Sequence, residues 1–254
     1  MTHSNARATL SYTHLFLFSG EYSLNPIIDG LSKAFELLIR LDPEIFGIMF
    51  LSLRVSGTAV FLGTILAIPL GALVALREFR GKHFIVNLVY TLMGLPPVVA
   101  GLFVYLLLSS SGPLAPLDLL FTPTAMIIAQ FIMAVPIIMG ITISAVKAVP
   151  KNVIDTAISL GANRRQLILM ILSEARIGLI AAIITSFGAA ISEIGAIMLV
   201  GGNIRFFTRV LTGAVVLYTR MGEFGMAIAL GMILLVLAFI INSILTYIQM
   251  REST

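Results

Sequence analysis

The chain has 254 residues, 59% hydrophobic and 11% charged, and its 16 basic and 12 acidic side chains give a formal charge of +4; mean hydropathy is +1.06. From His83 to Val146 the only formal charge is Asp118, so the chain is written for a bilayer and a soluble helical domain is the weak alternative. The absence of cysteine excludes disulfides, thiolate metal sites and cysteine nucleophiles, and the basic residues stand just outside apolar runs instead of forming the continuous face that nucleic-acid binding needs.

Residues 1–24 read as a disordered external tail, because the apolar patch at 15–18 is too short for a secretory core segment. Residues 25–50 read as an amphipathic helix and its lead-in: Ile28, Leu31, Phe35, Leu38 and Ile39 recur near helical spacing, with Asp29, Lys33, Glu36 and Arg40 elsewhere. The membrane interface is the first-choice location for this helix, ahead of packing on a bundle or a soluble extension. A membrane domain then occupies 51–248, followed by a cytoplasmic tail at 249–254. Its five spans fall at roughly 52–76, 84–109, 123–146, 177–200 and 224–248, each able to cross a core about 30 Å thick as a helix. These unbroken runs lack the alternation of barrel strands.

Arg77, Arg80 and Lys82 follow the first span, and Lys147, Lys151, Arg164 and Arg165 follow the third, which puts both linkers in the cytoplasm. The loop at 110–122 has no Lys or Arg and reads as external. The amino terminus is then outside and the carboxyl terminus inside. Arg205, Arg209 and Arg220 oppose this alternation by falling outside. A cationic mouth there attracts an approaching anion; the alternative is that the arginines merely solvate or snorkel.

Within the second span Pro96 and Pro97 remove amide donors and disfavour a straight helix, and Pro69 and Pro136 suggest similar irregularities in the first and third. Such breaks either gate and line a path or are fixed kinks that shape the bundle. Near the end of the fourth span stand Ser192 and Glu193, with Thr185 and Ser186 about two turns earlier. An ionised Glu193 repels an anion, so constriction, helix capping or structural pairing suits it better than ligation. Thr185, Ser192 and Asn203 are neutral donors compatible with passage of an oxyanion, or ordinary partners in interhelical hydrogen bonds. Gly188 and Gly195 with Ala181, Ala182, Ala189, Ala190 and Ala196 make this span the first choice for the centre of a two-subunit interface. There is no Gly-rich phosphate loop, and His3, His14 and His83 are too dispersed for a metal site.

The loop at 147–176 is long for a connection and carries its own order. An amphipathic helix from Val153 or Ile154 has Asp155 in its first turn, Gly161 permits a sharp bend, and helix resumes over 164–173. With Ile154, Ile158 and Leu160 apolar and Ala157 and Gly161 small, this helix-turn-helix is shaped to enter a groove on another protein; the alternative is an interfacial loop held on the bundle.

The run 155–162, Asp-Thr-Ala-Ile-Ser-Leu-Gly-Ala after Val149-Pro150, resembles the EAA loop of the permease subunits of ATP-binding cassette importers. Asp155 stands for the usual Glu, Thr156 for the first Ala, and Glu174 where many members have Pro. The stretch 41–247 further resembles the permeases of tungstate importers, kin of the molybdate and sulfate systems, above all in 87–101, 121–130 and 189–204. The resemblance implies an all-α polytopic membrane protein, a type I ABC importer permease (MetI-like) bundle of about five core transmembrane helices with a cytoplasmic coupling helix, in a prokaryotic cytoplasmic membrane. It implies coupling to the ATPase through Ile154, Asp155, Ala157, Leu160, Gly161 and Ala162, and a path or gate for which Pro96, Pro97, Thr185, Ser192, Glu193 and Asn203 are the candidates. The implied partners are a second copy, two cytoplasmic ABC ATPase subunits that bind ATP and Mg, and an extracytoplasmic substrate-binding protein. The chain itself is then not catalytic and holds no cofactor. Its cargo is a small oxyanion, tungstate first, with molybdate, sulfate or another small anion as alternatives. An intramembrane enzyme and a noncatalytic scaffold are the rivals from other classes.

Overall fold

The computed structural model describes residues 26–39 and 43–251, so the expected tail at 1–24 and residues 252–254 lie outside the described residues, as do the side chains of Asp29, Leu38 and Arg40. Among the described residues there are eleven α-helices. Two of them form the centre: α2 (Pro43–Leu76) and α5 (Pro123–Lys147) make the most extensive helix pair of the protein. Small side chains make their close approach achievable, since a Cβ on Gly71 would stand 3.0 Å from the Met139 carbonyl oxygen and from Thr142. Ala67 and Ala134 are buried beside Val60 and Ile138. Pro69 and Pro136 lie inside these unbroken helices, so neither produces the irregularity that a proline suggests.

The second span is broken. α3 (Lys82–Met93) and α4 (Pro97–Leu108) meet at 100° around 94–96. Pro96 and Pro97 cannot donate to the carbonyls one turn back, and the Gly94 and Leu95 amides close the end of α3 on the Thr91 and Leu92 oxygens, both at 3.1 Å. The fourth span is broken as well, without a proline: α8 (Arg176–Ile191) stops at Ser192 and α9 (Gly195–Gly201) starts after Ile194. Three helices are long and apolar enough to cross a membrane, or up to five if each bent pair is one span; α7 (Arg164–Glu174) with α8, bent by 60°, is the other such pair.

Two elements differ from the expectation. The loop between the fourth and fifth spans contains a helix, α10 (Leu211–Arg220), whose first four residues are buried. Its amino-terminal Leu211 amide donates to Ser52 Oγ of α2 at 2.9 Å, a side-chain partner for an otherwise orphaned helix-start donor. The amphipathic helix, α1 (Pro26–Ile39), packs on α11 (Phe224–Arg251). Ala34 is buried in the cluster that includes Leu211, Leu230 and Ile233, and Gly30 leaves no room for a Cβ against Ile228. Bundle packing, the second-ranked location, describes α1, although Ile27, Ile28, Leu31, Phe35 and Ile39 remain exposed.

Candidate functional site

The two helix breaks face a common cavity of about 280 Å³. Leu95, Pro96 and Pro97 enter from the α3–α4 elbow, Gln130, Met133 and Ala134 from α5, Ser186, Ala189 and Ala190 from α8, and Glu193 from the α8–α9 break. The elbow is pressed against α9, because a Cβ on Gly101 would fall 2.5 Å from the Ala196 Cα and one on Gly195 would fall 2.8 Å from Val98. Only glycine permits these approaches.

Gln130 holds the α8 end of the arrangement. Its Nε2 donates to the Ala190 carbonyl at 2.6 Å, a second and shorter bond on an oxygen that the helix end itself reaches through the Glu193 amide at 3.3 Å. The side chain is fully buried, and its Oε1 has no hydrogen-bond partner; Ser186 Oγ, 1% exposed and lining the same cavity, has none either. A buried amide oxygen and hydroxyl left unpaired in an apolar surround are costly unless water or a polar solute meets them. Gln130 was the residue that reasoning from sequence missed as a site candidate, and a lone amide in an apolar span was the available signal.

Glu193 caps a helix. Its Oε1 accepts from the Ala196 amide at 3.0 Å at the start of α9, while its carbonyl oxygen accepts from Thr212 Oγ1 of α10 at 3.0 Å. The carboxylate thus sits at the positive end of α9, as the capping role requires. Pro96, Pro97 and Glu193 therefore come together. Thr185 and Ser192 do not line the cavity: they form with Ala189 an exposed stripe along α8 at spacings of four and three. Ser192 Oγ donates to the Gly188 carbonyl of its own helix at 2.8 Å. Asn203 lies apart, in left-handed backbone with φ 52°, donating through Nδ2 to the Gly213 carbonyl at 3.1 Å.

Much of the small-residue content of this span is used inside the protomer. Ala182, Ala190 and Ala196 are buried, and Gly178 faces Ala145 of α5. What remains exposed is the stripe of Thr185, Ala189 and Ser192, polar or small where a lipid-facing helix carries large apolar side chains.

The arginines of the 202–210 loop are held by Glu44 at the start of α2. Arg205 makes a two-pronged pair, Nε to Oε1 at 2.9 Å and Nη2 to Oε2 at 2.6 Å, and Arg209 Nη1 stands 3.6 Å from Oε1. This contact raises the Arg205 guanidinium above its ordinary value, with the hydrogen bond to Glu44 as the first cause. Two cations against one carboxylate leave the cluster net positive. Arg220 ends α10 and is exposed.

The other candidate element lies between α5 and α8. α6 (Lys151–Ser159) begins at Lys151, ahead of the expected Val153 or Ile154, because Pro150 supplies a ready entry; Asp155 consequently falls outside its first turn. At its end the Gly161 amide donates to the Ile158 carbonyl at 2.9 Å and the Ala162 amide to the Ala157 carbonyl at 3.0 Å, the paired bonds of a Schellman ending, with Gly161 at φ +80°. Asn163 then starts α7 with a capping box: Oδ1 accepts from the Gln166 amide at 3.0 Å and Gln166 Oε1 from the Asn163 amide at 2.8 Å. α6 buries no residue completely; Ile154 is half-buried against the Ile171 cluster, and Ile158 and Leu160 are 54% and 83% exposed. Apolar side chains held outward on a doubly capped turn form a rigid, uncovered tip.

Residues 67–253 match the family described as "Binding-protein-dependent transport system inner membrane component". The chain is 41% identical over 223 residues to the tungstate uptake system permease protein TupB of Peptoclostridium acidaminophilum, covering 88% of this chain and 98% of that one. It is 43% identical over 198 residues to a probable anion ABC transporter permease protein of Haloferax volcanii, covering 76% and 85%. Among solved structures, a chain of the MetNI methionine ABC transporter in inward-facing conformations superposes with a TM-score of 0.64 at 18% identity, over 86% of this chain and 97% of that one.

Proposed function

Because the chain belongs to the binding-protein-dependent transport system inner membrane components and has the all-α, MetI-type fold of ABC importer permeases, we propose that it is the permease subunit of an ATP-driven oxyanion importer and that its cargo is tungstate. It is a transport subunit and not itself a catalyst; in this reading ATP and Mg belong to the partner ATPases. The kinship with a tungstate permease over nearly all of both chains supports tungstate, and the similarity to an anion permease keeps molybdate, sulfate or another small anion as the alternative.

The observation that carries the reading is the meeting of two broken helices at a cavity with unpaired polar atoms, next to a polar, small-residue stripe on α8. A single protomer leaves that stripe uncovered, which supports a path closed by a second copy across it. In this reading an external binding protein delivers the oxyanion, and the net positive Arg205–Arg209–Glu44 cluster with Arg220 favours its approach. Glu193, Pro96 and Pro97 form the constriction, with Ser186 and Gln130 behind it and Thr185 and Ser192 along the path, while Asn203 shapes the exit turn. The tip formed by Ile158, Leu160 and Gly161, with Ile154, Asp155, Ala157 and Ala162 behind it, transmits ATPase closure to α7 and α8. The topology has the amino terminus outside and the carboxyl terminus in the cytoplasm.

The test is uptake of tungstate, molybdate and sulfate by proteoliposomes that hold this permease with its ATPase and binding protein, with ATP hydrolysis followed in parallel. Tungstate accumulates preferentially and stimulates hydrolysis if the proposal holds. Preference for another anion replaces the cargo, and absence of coupled uptake by an intact complex overturns the transport reading.

A further inference from the structure

A second cavity, about 490 Å³, lies between the carboxyl-terminal third of α2 and the α6–α7 element. Its volume is in the range of small-molecule sites. Its bed is apolar, with Ile68, Leu73, Leu76, Leu167, Ile168 and Leu172 among its walls, and it includes two cations, Arg77 and Arg164. No acidic residue lines it, and neither guanidinium has a hydrogen-bond or ion-pair partner among the described residues. Arg205, by contrast, is held by Glu44 through Nε and Nη2.

The cavity does not end at its walls. Leu62, Leu66, Pro69, Leu73 and Leu76 are exposed and follow one another at spacings of four and three, so one face of α2 carries an open apolar stripe that runs into the cavity. A ligand that fits needs a long hydrocarbon chain for the stripe and a compact anion for the arginines. The exposed coupling tip at Ile158 and Leu160 is not part of the walls; of the coupling residues proposed above only the half-buried Ile154 borders the groove, which therefore adjoins the ATPase contact without including its tip.

We propose that this groove binds an anionic phospholipid of the cytoplasmic leaflet, with one acyl chain on the α2 stripe and the headgroup phosphate held by Arg77 and Arg164. Guanidinium groups match phosphate oxygens in two-pronged hydrogen bonds, and basic pockets beside membrane helices on the cytoplasmic side select anionic headgroups. The bound lipid ties α2 to α7, the helix that leads from the coupling turn into α8, so it stiffens the joint through which an ATPase movement travels.

The chain has no tryptophan, so Ile168→Trp in the full chain gives a single reporter on the cavity wall. Reconstituted in phosphatidylcholine vesicles, it is challenged with brominated-chain phosphatidylglycerol or brominated-chain phosphatidylcholine at equal low mole fraction. The expected result is several-fold stronger quenching by phosphatidylglycerol, with affinity falling about five-fold for each of Arg77→Gln and Arg164→Gln. The paired Lys variants keep the preference, which separates lost charge from lost folding. Equal quenching by both lipids overturns the proposal, because the groove then takes lipid without reading its headgroup. Absence of quenching by either also overturns it, since a protein surface then covers the groove.

Discussion

Gly161 allows a substitution whose effect is separable from sterics. It sits at φ +80°, and no heavy atom lies within 4 Å of the place its Cβ would take. Gly161→Val therefore acts on the backbone alone: holding an ordinary L-residue in left-handed conformation costs about 1–2 kcal/mol, with a β-branched residue at the upper end. That corresponds to about a 5- to 30-fold fall in the population of the intact turn. The capping box of Asn163 and Gln166 is untouched, so α7 persists and only the direction of the tip is lost. Gly161→Asn tolerates the same φ and is the control. The assay is co-purification of the ATPase with the membrane-inserted permease, followed by ATP hydrolysis coupled to uptake. The Val variant inserts normally and loses association by about that factor, while the Asn variant stays near the native chain. A Val variant that couples like the native chain, or an Asn variant as impaired as Val, refutes the reasoning.

Gly101→Val acts through sterics instead, because the new Cβ meets the Ala196 Cα at 2.5 Å; overpacking of about 1–3 kcal/mol lowers the thermal midpoint in detergent, with Gly101→Ala in between. Gln130→Met keeps volume but removes the donor to the Ala190 carbonyl. The Ala190 oxygen keeps the Glu193 amide at 3.3 Å, so the change removes one hydrogen bond, about 0.5–1.5 kcal/mol, and we expect normal insertion with reduced uptake and faster heat inactivation. Glu44→Gln releases the Arg205 fork and leaves Arg209 without its carboxylate. With Arg205 exposed and screened by solvent the loss of stability is small, and it is visible as faster proteolysis of the loop at 202–210.

Local features were the legible ones. The helix-turn-helix at 151–174 was readable in outline because Pro150 and Gly161 act on their own backbone, while the capping box of Asn163 went unread. The α3–α4 elbow was readable because two successive prolines remove two donors. Prolines alone were a poor guide, since Pro69 and Pro136 sit in continuous helices. The break at 192–194 has no breaker residue: Gln130 from α5 and Thr212 from α10 satisfy carbonyls at Ala190 and Glu193, and neither partner is near in sequence. The same distance hid the pairing of Arg205 with Glu44. α10 escaped notice because a ten-residue segment of modest apolar character has no span-length signal, and its burial depends on Ser52 and α11.

The central claim is that the α8 stripe lines a path closed by two copies and worked by the ATPase. Since the chain has no cysteine, Thr185→Cys and Ala189→Cys can be placed singly in the assembled transporter with cysteine-free partners, with Phe239→Cys on the exposed face of α11 as the lipid-facing control. Their modification by a membrane-impermeant thiol reagent is then measured with and without ATP. The account predicts that the two α8 positions react and change their rate on ATP binding while position 239 stays silent. Unreactive α8 positions, or rates indifferent to ATP, would contradict it.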